Sequence, residues 1–401
     1  MLKDKLRRAD LLLLLLYLTT AAIILFRISV EGTGYLSPDS KAYLGLAQNL
    51  KDAYGLYVPD AQGAGRHYFS IWPVGYPVMI YVFSELTTLD VYWASKILNL
   101  LLLGSGFLLL RQINRPYSFV LASVYGAYTF LEVHSFTWSE APFLLLLLLL
   151  AYFANQVWGE EHINRNLVFI FFICLALFLV RYVGAFSFSV PALLGLYFGY
   201  LRKYKQASWF LGATLLLAIL AGAYLYANYA LSGFATGFDR LEAKTEAARS
   251  FVPMLLKGLM NEFLVIREYR PQNQPDYLLY ATALLQLLVL VYIGINLKKY
   301  YSFGCETRKN SFSVTCLSIG LLYFVAILAL RILSHFDDLD YRLLSPLSFM
   351  AFIGILHSFV SLPDMNKEIV RMKFLIFAFF VLSLLLNVPK KFVVSQLQLL
   401  F

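Results

Sequence analysis

Long apolar runs separated by short charged clusters recur along the chain from Leu11 to Pro389. A helix needs about 20 apolar residues to cross the hydrocarbon core of a bilayer, and such runs predict about 11 transmembrane helices here. The predicted spans cover residues 10–29, 91–112, 117–133, 142–158, 166–182, 186–201, 207–231, 277–297, 312–333, 342–360 and 373–389. The pattern therefore predicts an all-α polytopic membrane protein in which residues 1–401 form a single transmembrane domain.

The basic residues predict the orientation of these spans. The first apolar run follows four basic residues and has no evident small-residue cleavage site, so we predict an uncleaved first span and a cytoplasmic N-terminus. Every link that then falls on the cytoplasmic side is basic, as the positive-inside bias requires. These links contain Arg111, Arg115, Arg165, Arg202, Lys203, Lys205, Lys298, Lys299, Arg308, Lys309, Lys367, Arg371 and Lys373.

The stretch from Trp72 to Leu89 is apolar but begins with two prolines, Pro73 and Pro77. If this stretch crossed the bilayer, the basic link after the second span would move outside and the downstream charge pattern would be lost. We therefore predict an interfacial or re-entrant helix on the outer side.

Two long outer loops follow from this topology, residues 30–90 and 232–276. In the first, Ser37-Pro38-Asp39-Ser40 precedes apolar residues at helical spacing, which predicts a capped amphipathic helix. In the second, residues 238–269 mix charged and apolar positions and predict another surface helix. The predicted fold thus places amphipathic surface helices in the first and fourth outer loops.

Composition supports a membrane protein and argues against a nucleic-acid partner. Hydrophobic residues make up 60% and charged residues 14% of the chain, whereas soluble domains carry about 25% charged residues. The formal net charge is +9, but the basic residues lie in the predicted cytoplasmic links. The three cysteines have no CxxC spacing, so neither a disulfide framework nor a zinc site is indicated.

Several ionisable residues lie at the predicted outer ends of the spans. Charge near the bilayer core is costly, so such residues are candidates for function. They are Asp39, Glu140, Arg181, Arg331, His335, Asp337, Asp338, Asp340 and Arg342. Asp39 and Glu140 each begin a predicted helix, where a carboxylate either stabilises the helix end or takes a proton from an acceptor hydroxyl.

The three arginines suit a phosphate, because guanidinium groups pair bidentately with phosphate oxygens. The alternatives are snorkelling of Arg181 to the interface and pairing of Arg331 and Arg342 with the nearby aspartates. Asp338-Leu339-Asp340 resembles a DxD metal-nucleotide site near His335, although a short acidic outer loop is more often simply solvated. We therefore expect no required cofactor; Asp338 and Asp340 are weak metal candidates, and a divalent metal is allowed but not indicated.

A set of ordered motifs resembles one membrane enzyme family. Ser37-Pro38-Asp39-Ser40-x-x-Tyr43 and Trp72-Pro73-Val74-Gly75-Tyr76-Pro77 resemble the first outer loop of the GT-C superfamily of integral membrane glycosyltransferases. The similarity is greatest to the branch of protein O-mannosyltransferases and aminoarabinose transferases. The later landmarks are Ser139-Glu140-Ala141-Pro142, Arg181-Tyr182-x-Gly184 and Tyr341-Arg342-Leu343-Leu344-x-Pro346.

The resemblance implies inverting transfer of a sugar from a polyprenyl-phosphate carrier to a lipid, glycan or protein acceptor on the extracytoplasmic face. It places Asp39 at the reaction centre as base, and by extension Arg181, Arg342 and Arg331 at the donor phosphate. The cavity residues expected around them are Tyr43, Trp72, Tyr76, Glu140, Tyr182, His335 and Tyr341. A bacterial cytoplasmic membrane is the expected location.

A polytopic transporter or lipid flippase is the leading alternative, and a membrane scaffold is a third. A transporter would place broken helices and ionisable residues near the bilayer midplane, often in two related halves. This chain concentrates its candidate residues at one predicted interface instead, which favours chemistry at that surface.

Overall fold

The computed structural model describes residues 2–59, 65–237, 247–267, 277–297, 311–333, 336, 338–364, 366–389, 392 and 398. Its elements in chain order are α1 (Leu2–Val30), α2 (Pro38–Lys51), β1 (Tyr57–Pro59), β2 (Arg66–Tyr68), α3 (Gly75–Thr87), α4 (Val91–Ile113), α5 (Ser118–Ala122), α6 (Tyr128–Ser135), α7 (Glu140–Trp158), α8 (Ile163–Val180), α9 (Ser189–Tyr200), α10 (Tyr204–Ser232), α11 (Ala248–Glu262), α12 (Tyr277–Leu297), α13 (Ser311–Leu333), α14 (Tyr341–Val360) and α15 (Lys367–Leu386). The only strands in these ranges form a short antiparallel hairpin.

Within the described ranges, ten helices are long and apolar enough to cross a membrane. They correspond to ten of the eleven predicted spans, so the all-α polytopic fold is confirmed. Residues 182–200 form one of them, which begins as a 3₁₀ helix and continues as α9.

The predicted span over residues 117–133 differs from the prediction. It forms the short helices α5 and α6, joined by a 3₁₀ turn over Ser123–Gly126, and every residue from 117 to 133 is buried. At Gly126 the backbone packs so closely on α15 that a Cβ atom would lie 2.9 Å from the Phe380 carbonyl oxygen. The apolar pattern here reflects burial inside the protein rather than contact with lipid.

The loop over residues 30–90 folds into α2, the β1–β2 hairpin and α3. α3 has 13 residues, which is too short to cross a bilayer by itself. A Cβ atom on Gly75 would lie 2.5 Å from the Leu179 carbonyl oxygen, so α3 begins directly against the end of α8. This contact brings the loop next to Arg181.

α7 lies among the long helices and packs against α4, α8, α13 and α14. Its first residue is Glu140, while Arg181 follows the last residue of α8 and Arg342 lies in the first turn of α14. α11 packs on α14, and a Cβ atom on Gly258 would overlap the Leu339 carbonyl oxygen. Helix ends that are distant in sequence therefore meet at one end of the bundle.

Candidate active site

Four charged side chains from four separate segments form one connected group. Arg342 donates from Nη1 to the Asp39 carboxylate and from Nε to Glu140 Oε1 over 2.6 Å. Arg181 forms an ion pair with the same Glu140 oxygen. We call Asp39, Glu140, Arg181 and Arg342 the charge quartet.

The charge quartet is largely shielded from solvent. The Glu140 side chain is 0% exposed, that of Asp39 is 7% exposed, and those of Arg181 and Arg342 are 12% and 19% exposed. Buried charges are tolerated when they are paired and hydrogen-bonded, and here two formal positive charges face two negative ones. Arg342 has the largest exposed fraction, so a ligand would reach the group most readily beside it.

Asp39 lies in the first turn of α2, but another residue caps that helix. Ser37 is the N-cap, and its Oγ accepts a hydrogen bond from the Ser40 backbone nitrogen at 3.2 Å. Asp39 is therefore not the N-cap residue, although it lies in the first turn, where a carboxylate stabilises the helix end. Its carboxylate accepts a hydrogen bond from Arg342.

Glu140 begins α7 and is the member that joins both arginines. Its Oε1 accepts from Arg181 and Arg342, whereas its buried Oε2 has no hydrogen-bond partner. An unsatisfied buried polar atom costs about 1–3 kcal/mol. Glu140 therefore holds the charge quartet together and keeps one oxygen available to a hydrogen-bond donor.

Arg181 is held where the chain turns sharply after α8. Its backbone nitrogen donates to the Leu177 carbonyl at 3.0 Å, and Gly184 donates back to the Arg181 carbonyl at 2.7 Å. A Cβ atom on Gly184 would overlap the Leu177 carbonyl oxygen. Burial lowers the pKa of the Arg181 guanidinium, but the Glu140 carboxylate more than offsets this and the pKa is raised, so Arg181 stays charged.

Tyr43 and the residues around it line one side of the charge quartet. The Tyr43 hydroxyl lies 3.1 Å from Ser139 Oγ, and its ring centroid lies 6.2 Å from that of Trp72 and 5.5 Å from that of Tyr76. Burial raises the pKa of Tyr43 to about 12, so its hydroxyl keeps its proton. The structure thus brings three predicted cavity residues together beside Glu140.

Trp138 is a site residue that the sequence reasoning missed. The Arg342 guanidinium carbon lies 4.6 Å from the centroid of its ring, and its Nε1 donates to Ser37 Oγ at 2.8 Å. The indole stacks on Phe136 with centroids 4.1 Å apart. Its place just before Ser139-Glu140 was the signal available in the sequence.

Tyr182 and Tyr341 have different surroundings. The Tyr182 hydroxyl donates to the Ser70 carbonyl at 2.8 Å and accepts from Asn228 at 3.0 Å, so its hydroxyl fixes the loop and is not directed to the charge quartet. The Tyr341 ring lies 6.4 Å from the Trp138 ring, which places Tyr341 at the edge of the site.

Arg331 and the aspartates near it form a separate set of contacts. Arg331 donates to the Phe336 carbonyl and lies 3.7 Å from the Asp338 carboxylate, so the pairing alternative holds for this arginine. Asp340 caps α14 by accepting from the Arg342 backbone nitrogen at 3.0 Å. His335 and Asp337 lie outside the described residues.

No metal site emerges from the part of the chain that the structure describes. No group of three or more His, Cys, Asp or Glu side chains there is arranged to hold a metal ion. The two weak candidates, Asp338 and Asp340, are engaged with Arg331 and with the α14 backbone.

A second carboxylate and arginine lie beside Tyr341 and were also missed. Glu262, at the end of α11, accepts from Thr129 at 2.9 Å and from Ser348, and lies 3.7 Å from Arg267. The Arg267 guanidinium lies 4.9 Å from the ring centroids of both Tyr128 and Tyr341. The sequence offered no signal, because a loop position alone does not reveal which helices it contacts.

Comparison with solved structures identifies the fold. The structure of ArnT from Cupriavidus metallidurans bound to undecaprenyl phosphate matches 87% of this chain, with a TM-score of 0.51 and 12% sequence identity. The apo state of the same protein matches over 87% of this chain with a TM-score of 0.46 and 11% identity. In both comparisons this chain spans 60% of the ArnT chain.

No protein-family model matches the chain, and no curated protein is similar enough in sequence to match. The likeness to ArnT therefore rests on the arrangement of the helices. The chain shares the helical fold of ArnT, and the all-α polytopic fold predicted from the sequence is confirmed.

Proposed function

We propose that this protein is a glycosyltransferase that moves a sugar from a polyprenyl-phosphate donor to an acceptor, with inversion at the anomeric carbon. The observation that carries the proposal is the charge quartet, in which Asp39 at the start of a loop helix contacts Arg342, and Glu140 links Arg342 to Arg181. A base and a phosphate-binding pair are the two groups that this reaction needs.

Asp39 would act as the base, and Arg181 and Arg342 would hold the donor phosphate. The acceptor oxygen attacks the anomeric carbon as the bond from that carbon to the phosphate oxygen breaks. The acceptor proton passes to Asp39, and the carrier leaves as a phosphate anion whose charge the arginines stabilise. Each guanidinium presents a planar fork of donors that suits phosphate oxygens.

The contacts of the charge quartet suggest how binding would proceed. A phosphate approaching beside Arg342 would exchange with the carboxylate contacts of that side chain, which releases Asp39 from Arg342. The Asp39 carboxylate would then be able to accept a hydrogen bond from the acceptor hydroxyl. Donor binding would therefore prepare the base, while Glu140 keeps the arginines together.

The comparison supports a lipid-phosphate donor. The solved ArnT structure is bound to undecaprenyl phosphate, and a shared fold makes a similar ligand reasonable for this chain. The role that the sequence predicts for Arg331 stays a prediction, because its contacts are with Phe336 and Asp338.

The proposed topology puts the N-terminus in the cytoplasm and the charge quartet at the extracytoplasmic face of a bacterial cytoplasmic membrane. The basic links between the spans support this orientation. The acceptor is a lipid, a glycan or a protein, and the reaction as written requires no cofactor and no nucleic acid.

The direct test is transfer by purified protein. Wild-type protein in lipid nanodiscs is incubated with a bacterial lipid extract containing polyprenyl-phosphate sugars and with membrane acceptors, and release of free polyprenyl phosphate is followed by mass spectrometry. Asp39→Asn is expected to reduce release to a small residual rate while keeping the melting behaviour of a folded protein.

The matched control is Asp52→Asn, because Asp52 is an exposed aspartate at the other end of the same helix. Full activity in Asp39→Asn would remove Asp39 from the mechanism. Movement of lipid-linked sugar across a liposome membrane, with no chemical change in any donor, would favour the flippase alternative.

A further inference from the structure

One face of α4 is polar although the helix lies within the bundle. Tyr92, Ser95, Lys96 and Asn99 recur at the spacing that places side chains on the same side of a helix. Ser95, Lys96 and Asn99 are each 0% exposed. We call these four residues the polar face of α4. The apolar pattern of this region predicts only a membrane span.

The polar face of α4 contacts the segment that leads into α2. The Tyr92 hydroxyl donates to the Gly34 carbonyl at 3.0 Å, and Lys96 Nζ donates to the Tyr35 carbonyl at 3.1 Å. Gly34 and Tyr35 both have positive φ, +60° and +55°. For Tyr35 this is an unfavourable conformation, so the turn needs outside contacts to keep its shape just before Asp39.

The same face contacts the segment that leads into α7. Lys96 Nζ donates to the Ser135 carbonyl at 2.8 Å, Asn99 Nδ2 donates to the Phe136 carbonyl at 2.8 Å, and Ser95 Oγ lies 2.8 Å from Thr137 Oγ1. These contacts fix the chain just before Trp138 and Glu140. Lys96 alone reaches both segments.

Burial of Lys96 at this position is energetically unfavourable. Its contacts are two main-chain carbonyls and the Tyr92 ring, 5.2 Å away, and no carboxylate pairs with it among the described residues. A buried ammonium group without a carboxylate partner loses much of its hydration energy. An apolar side chain would fill the space at lower cost, so a lysine here points to a specific use of its hydrogen-bond donors.

We propose that the polar face of α4, with Lys96 at its centre, positions Asp39 and Glu140 relative to each other. This inference rests on the proposed function for its kinetic consequence. Lys96 touches no member of the charge quartet and acts only through the two main-chain segments, so it is a positioning residue. Arg181 follows α8 and Arg342 lies in α14, so the hydrogen bonds of the polar face of α4 reach neither arginine directly.

This separation predicts a specific kinetic pattern. Displacing the base by about 1 Å costs on the order of 100-fold in rate, whereas phosphate binding by the two arginines continues. Lys96→Met, which keeps the length and removes the hydrogen-bond donors, is expected to lower kcat on that order and to raise KM for the lipid donor by a smaller factor, because Glu140 also pairs with both arginines. Lys96→Arg is expected to recover part of the rate because it restores donors to the carbonyls.

The kinetic test combines the Lys96 variants with the Asp39→Asn substitution. If Lys96 acts through Asp39, Lys96→Met should lower the residual rate of Asp39→Asn no further. Tyr92→Phe, which removes only the hydrogen bond to Gly34, gives a milder variant in case Lys96→Met does not fold. The control is Ser105→Ala, an exposed serine on the same helix, which should leave kcat and KM unchanged.

A stability cycle tests the inference without transfer activity. Melting temperatures in detergent are measured for wild type, Asp39→Asn, the Lys96→Met or Tyr92→Phe variant, and the double variant. If the polar face of α4 orients Asp39 toward Arg342, Asp39→Asn lowers the melting temperature less in the variant background than in wild type.

The outcomes separate the inference from the proposed function. Additive melting shifts, or an unchanged kcat in a folded variant, overturn the positioning role even when wild type is active. If wild type transfers no sugar, the proposed function fails, and coupled melting shifts still support the positioning role. If the fold losses in kcat of Lys96→Met and Asp39→Asn multiply in the double variant, the positioning role is overturned, because Lys96 would then act independently of the base.

Discussion

Arg342 donates a hydrogen bond to Asp39 across a sequence separation of 303 residues. The contact joins the first turn of α14 to the first turn of α2, and the second contact of Arg342 adds the first residue of α7. One guanidinium therefore links three helix starts. Changes at Arg342 should affect the binding of an anion and the geometry of both carboxylates.

The Arg342 side chain should determine the affinity for a lipid phosphate. Hydrogen bonds to charged groups contribute about 1.5–3 kcal/mol, so we expect Arg342→Gln to weaken binding of polyprenyl phosphate by about 10- to 100-fold. Arg342→Lys should be intermediate, because an ammonium group keeps the charge but lacks the planar fork. Calorimetry with polyprenyl phosphate in nanodiscs measures these affinities, with the exposed Arg371→Gln as control.

Arg331 should contribute less to binding than Arg342. Its guanidinium is held by Phe336 and Asp338, so Arg331→Gln should lower the melting temperature while changing the polyprenyl-phosphate affinity much less than Arg342→Gln does. Equal losses of affinity in the two variants would restore the phosphate-binding role that the sequence predicts for Arg331.

Glu140 should be the most important member of the charge quartet for folding stability. Removing one partner from a buried ion pair costs about 3–5 kcal/mol, and Glu140→Gln leaves two buried arginines without their shared carboxylate charge. We expect a large fall in melting temperature in detergent. Glu160→Gln is the matched control, since Glu160 pairs with Lys203 at 2.6 Å at the surface; similar shifts in both variants would contradict the prediction.

Glu262 should make stability depend on pH. Burial raises the pKa of Glu262 from 4.5 to about 7, so the folded protein binds this proton more tightly than the unfolded chain does. Ionising Glu262 costs more free energy in the folded state than in the unfolded chain. The free energy of unfolding therefore decreases as pH rises from 4.5 to about 7. This loss of unfolding free energy is about 3 kcal/mol above pH 7 and is absent below pH 4.5.

Glu262→Gln removes this proton and should therefore remove this pH dependence. Between pH 4.5 and 7, the melting temperature of the variant should rise relative to wild type, and above pH 7 the difference should stay constant. The exposed Glu161→Gln serves as control. A Glu262→Gln difference that does not change with pH would show that the carboxylate is equally ionised in both states.

Gly184 should tolerate no side chain. A Cβ atom there would overlap the Leu177 carbonyl oxygen, in the turn that carries Arg181, so we expect Gly184→Ala to reduce the yield of folded protein. Gly222→Ala is the control, because no heavy atom lies within 4 Å of the added Cβ and alanine favours a helix. Chromatography in detergent separates folded from aggregated protein for both variants.

The sequence was sufficient for the spans and for the members of the charge quartet. Apolar runs of membrane-spanning length define ten helices correctly, and topology predicted that Asp39, Glu140, Arg181 and Arg342 lie at one end of them. The predicted span over residues 117–133 is wrong, because a segment buried inside a membrane protein is as apolar as one that faces lipid.

The partners within the site could not be predicted from the sequence. The acidic partners expected for Arg342 were neighbouring aspartates, but its side chain reaches Asp39 and Glu140 from distant segments. Which acid an arginine reaches depends on how helices distant in sequence pack, and one chain carries no signal for that. The contacts of Lys96 and Arg267 escaped prediction for the same reason.

The stacking of Trp138 between Phe136 and the Arg342 guanidinium provides a built-in optical reporter. Indole emission responds to a nearby positive charge, and this chain has five tryptophans. Replacing the other four by phenylalanine leaves a single tryptophan, and selective excitation of its indole gives an emission spectrum that changes when Arg342 moves. Ligand arrival at the buried arginines then becomes visible in real time, without a labelled lipid.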